Sequence, residues 1–118
     1  MLKLIWYPKC TTCQKAKKWL DDRQIEYELR DIKTDPPTMD EWSQWCPLSG
    51  RPLKSFFNTS GLLYKSMDLK NKLPAMSEDE MRKLLSSDGM LVKRPLLIAD
   101  DFVLAGFRET EWAEKVTR

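Results

Sequence analysis

Three cysteines and no histidine define the side-chain chemistry open to this chain. Two of them, Cys10 and Cys13, are spaced Cys-x-x-Cys. They follow an apolar, β-favouring run over residues 2–7. They precede Gln14, Lys15, Ala16, Lys17, Lys18, Trp19 and Leu20, mostly good helix formers. A Cys-x-x-Cys at a strand-to-helix junction reads as a thiol redox site. The thiolate is the reactive form and a helix N-terminus favours negative charge, so this placement favours thiolate character at Cys10, with Lys9 and Lys15 adding to it. The same motif alone is half of a structural zinc site. With Cys46 the one further cysteine and no histidine, four Cys and His ligands cannot be assembled. A histidine general base and a histidine-containing triad are excluded too, leaving acid–base work to Cys, Lys, Asp, Glu, Tyr or water. Cys46, between Trp45 and Pro47, has two readings: a small buried hydrophobe, which the flanking residues favour, or a resolving thiol for a mixed disulfide on Cys10.

The elements that must position these thiols follow from periodicity. Residues 2–7 predict a first strand and 12–22 a first helix, with Cys13, Ala16, Trp19 and Leu20 on one buried face. Residues 25–32 alternate, Ile25, Tyr27 and Leu29 against Glu26, Glu28 and Arg30, as in a half-buried strand. That is a strand–helix–strand unit, parallel with a right-handed crossover. Asp35-Pro36-Pro37 ends it. Thr38 to Glu41 is a capping-box pattern opening a helix to about Trp45, with Pro47 and Gly50 breaking it. Residues 53–58 read as a short helical piece that stops near Gly61. Ser77 to Glu80 is a second capping box, for a helix to about Ser87 with Met81, Leu84 and Leu85 inward. Asp88-Gly89 is a turn or helix stop. Residues 96–99 and 102–106 form a hairpin around Asp100-Asp101, and residues 109–116 a closing helix. The order is β-α-β, helices, β-β-α. This predicts an α/β chain with one antiparallel hairpin: a single thioredoxin-like domain over residues 1–118, with a helical insertion at about 38–89.

Composition narrows the function classes. A net charge of +2 is too small to argue for direct nucleic-acid binding. No apolar run approaches the roughly 20 residues of a membrane span. The sequence opens on a strand pattern, without a basic segment and long apolar signal core, so the expected compartment is the cytoplasm. Cysteine pairs there are more often catalytic or redox-sensing than structural. Trp6, Trp19, Trp42, Trp45 and Trp112 fit core packing better than a stacking surface, with Trp6 or Tyr7 placed to cover the thiol. Lys65, Lys70 and Lys72 read as a solvated face. Thr11 and Thr12 are placed either to donate hydroxyl bonds to a Cys10 thiolate or to cap the helix.

The whole pattern resembles the arsenate reductase (ArsC)/Spx family, most of all its small arsenate-reductase-like members. The resemblance covers nearly the whole chain. It rests on Tyr7-Pro8-Lys9-Cys10-Thr11-Thr12-Cys13-Gln14-Lys15-Ala16, on Phe57-Asn58-Thr59-Ser60-Gly61, on Ser87 to Leu96 with its Arg94-Pro95, and on Gly106-Phe107. It implies that Cys10 is the nucleophile, that Cys13 resolves, and that Arg94-Pro95 lies opposite with Pro95 in a cis peptide. A planar guanidinium suits a thiolate or a tetrahedral oxyanion, so Arg94 is a candidate catalytic residue. Thr11, Thr12, Asn58 and Pro95 are candidates to stabilise the thiolate or bind substrate.

Departures from the family pattern shape the functional expectation. Arsenate reductases of the family grip the oxyanion with three arginines, and only Arg94 has a match. Asn58 stands at one of the other positions and Val103 or its neighbour at the last, while Arg108 is near in sequence. Each lost charged hydrogen bond is worth about 1.5–3 kcal/mol, so arsenate reduction is the less expected activity. Spx-type members use the pair as a disulfide switch and bind the RNA polymerase α subunit. This chain shares the Cys-x-x-Cys, Gly50 near the interface glycine, and Arg94-Pro95, without the regulator's longer tail. The expectation is a thiol-dependent oxidoreductase that reduces a disulfide or an oxidised small substrate. It needs no cofactor or metal, and is restored by thioredoxin, glutaredoxin or a low-molecular-weight thiol. The alternative is a redox-switched regulator that binds the polymerase.

Overall fold

The computed structural model describes residues 2–116. Its order is β1 (Leu2–Trp6), α1 (Thr11–Asp22), β2 (Tyr27–Asp31), α2 (Met39–Ser49), α3 (Leu62–Ser66), α4 (Leu69–Lys72), α5 (Glu78–Ser87), β3 (Leu96–Ile98), β4 (Val103–Ala105) and α6 (Glu109–Val116), with short 3-10 turns over Leu53–Phe56, Leu73–Ala75 and Gly89–Leu91. The strands form one sheet in the order β2-β1-β3-β4. β1 runs parallel to β2 and antiparallel to β3, and β3 and β4 form the expected hairpin. A hydrogen bond from the Ala99 N–H to the Phe102 carbonyl closes it around Asp100-Asp101. The observed architecture is thioredoxin-like.

Alternation along the strands sorts the core into two layers. Leu4, Leu97 and Leu104 stand side by side across three strands and face Ala16, Trp19, Leu20 and Trp112 of α1 and α6. Their neighbours Ile5, Leu96 and Ala105 face the other way, onto Trp42, Phe56, Leu85 and Leu91 of the helical segment between β2 and β3. Lys65, Lys70 and Lys72 are solvated. No helix among the described residues is long and apolar enough to cross a membrane.

Both capping boxes form: Thr38 with Glu41, and Ser77 with Glu80. Three expectations need correction. α2 does not break at Pro47 but runs to Ser49, because a proline in the final turn forfeits one ladder bond only; Gly50, at φ +66°, ends it. α1 starts one residue earlier than predicted, at Thr11. Leu29 is 45% exposed rather than inward. β2 is an edge strand; Ile25 and Tyr27 pack on the α1 layer, and Leu29 lies beyond it. On the opposite face of β2, Arg30 makes a bidentate pair with Glu41 at 2.7 and 2.8 Å and also donates to the Asp35 and Pro36 carbonyls. That pins the start of α2 to the sheet edge.

Candidate active site at the N-terminus of the first helix

β1 ends at Trp6, and a turn returns the Cys10 N–H to the Tyr7 carbonyl at 2.9 Å. Gln14 steadies the turn by donating to the Pro8 carbonyl at 2.7 Å. Cys10 is the N-cap of α1, with extended backbone, and its Sγ accepts the Cys13 N–H at 3.4 Å. The sulfur thus takes the place usually held by a Ser, Thr or Asp oxygen. Thr11 and Thr12 are both exposed. Neither is the cap, and no hydroxyl bond from either to Cys10 occurs among the described residues. Cys10 is half-buried, whereas Cys13, one turn on, is wholly buried. Burial pushes the Cys13 thiol up from 9.0 to about 12, helped by the neighbouring Cys10 and opposed by the Tyr7 backbone and the Arg94 charge. All three cysteines are free thiols.

The opposite wall comes from the far end of the chain. β3 is antiparallel to β1 with Ile5 level with Leu96, which carries Arg94 back alongside Tyr7. The Arg94 guanidinium lies 5.4 Å from the Tyr7 ring centre, and its Nη1 donates to the Met90 and Val92 carbonyls. Its Nε is buried with no hydrogen-bond partner among the described residues. The Arg94-Pro95 peptide is cis, as the resemblance implies, and Pro95 is buried. Residues 57–60 come alongside through an isolated bridge between Phe57 and Val92. Backbone bonds from Asn58 to Leu91 and from Lys93 to Phe56, both 2.7 Å, reinforce it. Together these segments enclose a groove of about 300 Å³ lined by Cys10, Thr12, Asn58, Thr59, Ser60, Lys93 and Arg94.

Of the sequence-predicted residues, the fold brings Cys10, Thr12, Asn58 and Arg94 to one groove, with Cys13 beneath Cys10 and Pro95 behind Arg94. Thr11 does not line it. Val103 is buried in the core layer under the helical segment, so no cation reaches the groove from that position. Cys46 is half-buried against the core, donates to the Arg51 carbonyl at 3.4 Å and does not line the groove. Its thiol is raised by burial. Tyr7 lies under Arg94, whereas Trp6 joins the α1 layer. A larger cavity of about 630 Å³ lies between α1 and the start of α6, beside Trp19 and Phe107, and none of its lining residues is a cysteine.

A second cleft, about 480 Å³, adjoins the groove and shares Thr12, Lys93 and Arg94 with it. Arg51 and Arg108 complete its basic lining. The sequence hints at this through Lys93-Arg94 and through Arg108 after Gly106-Phe107. Arg51 carries no such signal: its guanidinium donates to Ala105, 54 residues away. Among the described residues no group of three or more Cys, Asp or Glu could hold a metal ion.

A thioredoxin-like sheet, a Cys-x-x-Cys at the start of the first helix and a cis Arg94-Pro95 peptide leading into β3 define a thiol-bearing α/β class. Within it, the ArsC family model matches residues 5–115, and the chain belongs to that family. It is 49% identical over 113 residues to the uncharacterized protein YusI of Bacillus subtilis, covering 96% of each chain. The crystal structure of a Bacteroides fragilis protein described as ArsC family related is 52% identical, with a TM-score of 0.93 over 96% of this chain and 95% of that one. The global transcriptional regulator Spx 1 of Bacillus cereus is 25% identical over 94% of this chain and 83% of the regulator.

Proposed function

We propose that this protein is a cytoplasmic thiol-disulfide oxidoreductase that reduces a disulfide or an oxidised small thiol compound. One observation carries the reading: a half-exposed Cys10 sulfur at the tip of α1 with a buried thiol, Cys13, one turn behind it. The Cys10 thiolate attacks one sulfur of the substrate disulfide. A Cys10–substrate bond forms, the substrate S–S bond breaks, and the second substrate sulfur leaves with the electron pair and takes up a proton. Cys13 then loses its proton and attacks Cys10, releasing the remaining substrate thiol and leaving a Cys10–Cys13 disulfide. The substrate has gained two electrons, and an external thiol, whether thioredoxin, glutaredoxin or a low-molecular-weight thiol, returns them. Arg94 on the groove wall supplies positive charge for sulfur leaving as thiolate. Burial keeps the proton on Cys13 until Cys10 is engaged, which favours capture of substrate by the outer thiol.

The test is a redox titration with free thiols read by alkylation and mass spectrometry. A Cys10–Cys13 midpoint near the cytosolic glutathione poise of roughly −220 to −320 mV supports the reading. If no such disulfide forms at any poise, the two-thiol mechanism fails. Arsenate reduction is disfavoured because, by the family resemblance, Asn58 and Val103 or its neighbour stand where the family's arsenate reducers carry arginines. A regulatory role is the second reading. It draws support from the likeness to Spx 1 and from Gly50, where a side chain would meet nothing within 4 Å, leaving the backbone open to close approach by a partner. Capture of the RNA polymerase α subunit that depends on redox state, without consumption of reductant, would favour that role over turnover.

A further inference from the structure

The cleft beside the Cys10 groove is more one-sidedly positive than the cavity beside Trp19, where Lys15, Lys18 and Arg23 are offset by Asp22 and Glu109. Arg51, Lys93, Arg94 and Arg108 line the cleft with one acid, Glu111, among them. None of the four cations makes an ion pair with an acidic side chain among the described residues; the ion pairs that form involve Lys17, Lys18, Arg30, Arg82 and Lys83 instead. Like charges gathered without partners repel, and a bound anion reverses that cost.

The cleft is also built rather than merely crowded. Arg51 is anchored, its Nε donating to Ser55 Oγ at 3.1 Å and its Nη1 to the Ala105 carbonyl at 3.2 Å, which leaves its other N–H bonds to donate. The Lys93 side chain lies over Gly106, where an added Cβ would meet Lys93 Cε at 3.2 Å, so the missing side chain gives the lysine its seat. Burial depresses the Lys93 ammonium, and Arg51 and Arg108 push it further down. The cleft and the thiol groove meet at Thr12, Lys93 and Arg94, so a ligand of modest size reaches both.

We propose that this cleft holds the anionic end, a carboxylate or a phosphate, of a small sulfur substrate whose disulfide reaches Cys10 across Thr12. This rests on the oxidoreductase reading and narrows it to acidic low-molecular-weight disulfides, in place of neutral disulfides or those of unfolded proteins. The sulfur chemistry is as written above. The cleft adds no bond to it and acts through charge and position alone.

Two unreactive probes test the cleft apart from the redox step. S-methylglutathione carries carboxylates and desulfo-coenzyme A carries phosphates, and neither can exchange sulfur. Titration of the wild-type chain, followed by amide chemical shifts, should give saturable binding of at least one, and which one identifies the anion. Lys93→Gln and Arg108→Gln should each weaken that binding about tenfold. Raising salt from about 50 to about 500 mM should weaken it in the wild type, a result that needs no variant to fold. Absence of binding to both probes overturns the cleft assignment, as does binding indifferent to salt and to both substitutions. In turnover, the kcat/KM ratio of glutathione disulfide over neutral hydroxyethyl disulfide should fall in the same variants. A wild-type chain that binds a probe in this charge-dependent way yet reduces no disulfide would support the cleft and sink the oxidoreductase reading. One that reduces disulfides with no preference for acidic ones overturns the cleft alone.

Discussion

The two faces of the sheet are built by different means. On one, α1 and α6 close over an aromatic cluster: Trp19, Phe107 and Trp112 meet edge to face at 4.9–6.2 Å, and the Trp112 indole donates to the Gly106 carbonyl at 3.1 Å. On the other, helices α2 to α5 and the 3-10 turns between them cover the sheet. The starts of α2 and α5 are held by capping boxes and that of α2 also by the Arg30–Glu41 pair, and the Trp42 indole N–H is buried with no hydrogen-bond partner among the described residues. The thiols stand on α1, a long regular helix. Arg51 and Asn58 come from the irregular face, and Arg94 from the strand end between them. The chemistry therefore sits at a seam, with the nucleophile at the start of α1 and the groove and cleft lined by side chains from both faces.

Four experiments break or sharpen that contrast. The largest effect belongs to the thiols. Cys10→Ser should abolish disulfide exchange, while Cys13→Ser should accumulate a mixed disulfide on Cys10 visible by intact mass; full activity of Cys10→Ser would falsify the mechanism. Next, Trp112→Ala should destabilise the chain by about 3–5 kcal/mol in urea unfolding, since it empties the centre of the α1–α6 layer. A cost below about 1 kcal/mol would show that this face does not rest on its aromatic cluster.

Third, Glu41→Gln should cost about 1–2 kcal/mol at neutral pH, for a pair that is partly solvated. Hydrogen bonding to Arg30 holds the Glu41 carboxyl below its ordinary 4.5, so its stabilisation is present above that value and lost as pH falls through the depressed one. The gap between wild type and variant should therefore close in acid; a gap that stays constant to pH 2 rules the ion pair out as its source. The finest test compares two indoles. Trp112→Phe strands the Gly106 carbonyl, whereas Trp42→Phe removes an N–H that has no partner among the described residues. Trp112→Phe should cost about 1 kcal/mol more, read from paired denaturation curves.

Much of the frame was legible because it is local. Cys-x-x-Cys, both capping boxes and the Asp100-Asp101 hairpin are patterns within a few residues, and each formed where expected. What escaped depends on contacts between distant segments. Arg51 turns toward the site only because β4 presents the Ala105 carbonyl to it. Gly89 reads as a helix stop, yet its decisive property is that any Cβ there would stand 1.9 Å from the Ile32 carbonyl oxygen. Leu29 alternates like a core residue and is exposed because the strand bearing it is at the edge. Arg94 was legible by its Arg-Pro context, but its stacking on Tyr7 needed the antiparallel register of β1 and β3.

Cys10 as the N-cap of α1 makes one atom both reagent and fastener. The lone pair that accepts the Cys13 N–H is on the sulfur that forms the new bond, so each covalent step weakens the hydrogen bond that caps the helix. Amide exchange at Cys13 should then quicken when Cys10 is alkylated or disulfide-bonded. The backbone would report the oxidation state of the site to whatever packs on that end of the helix.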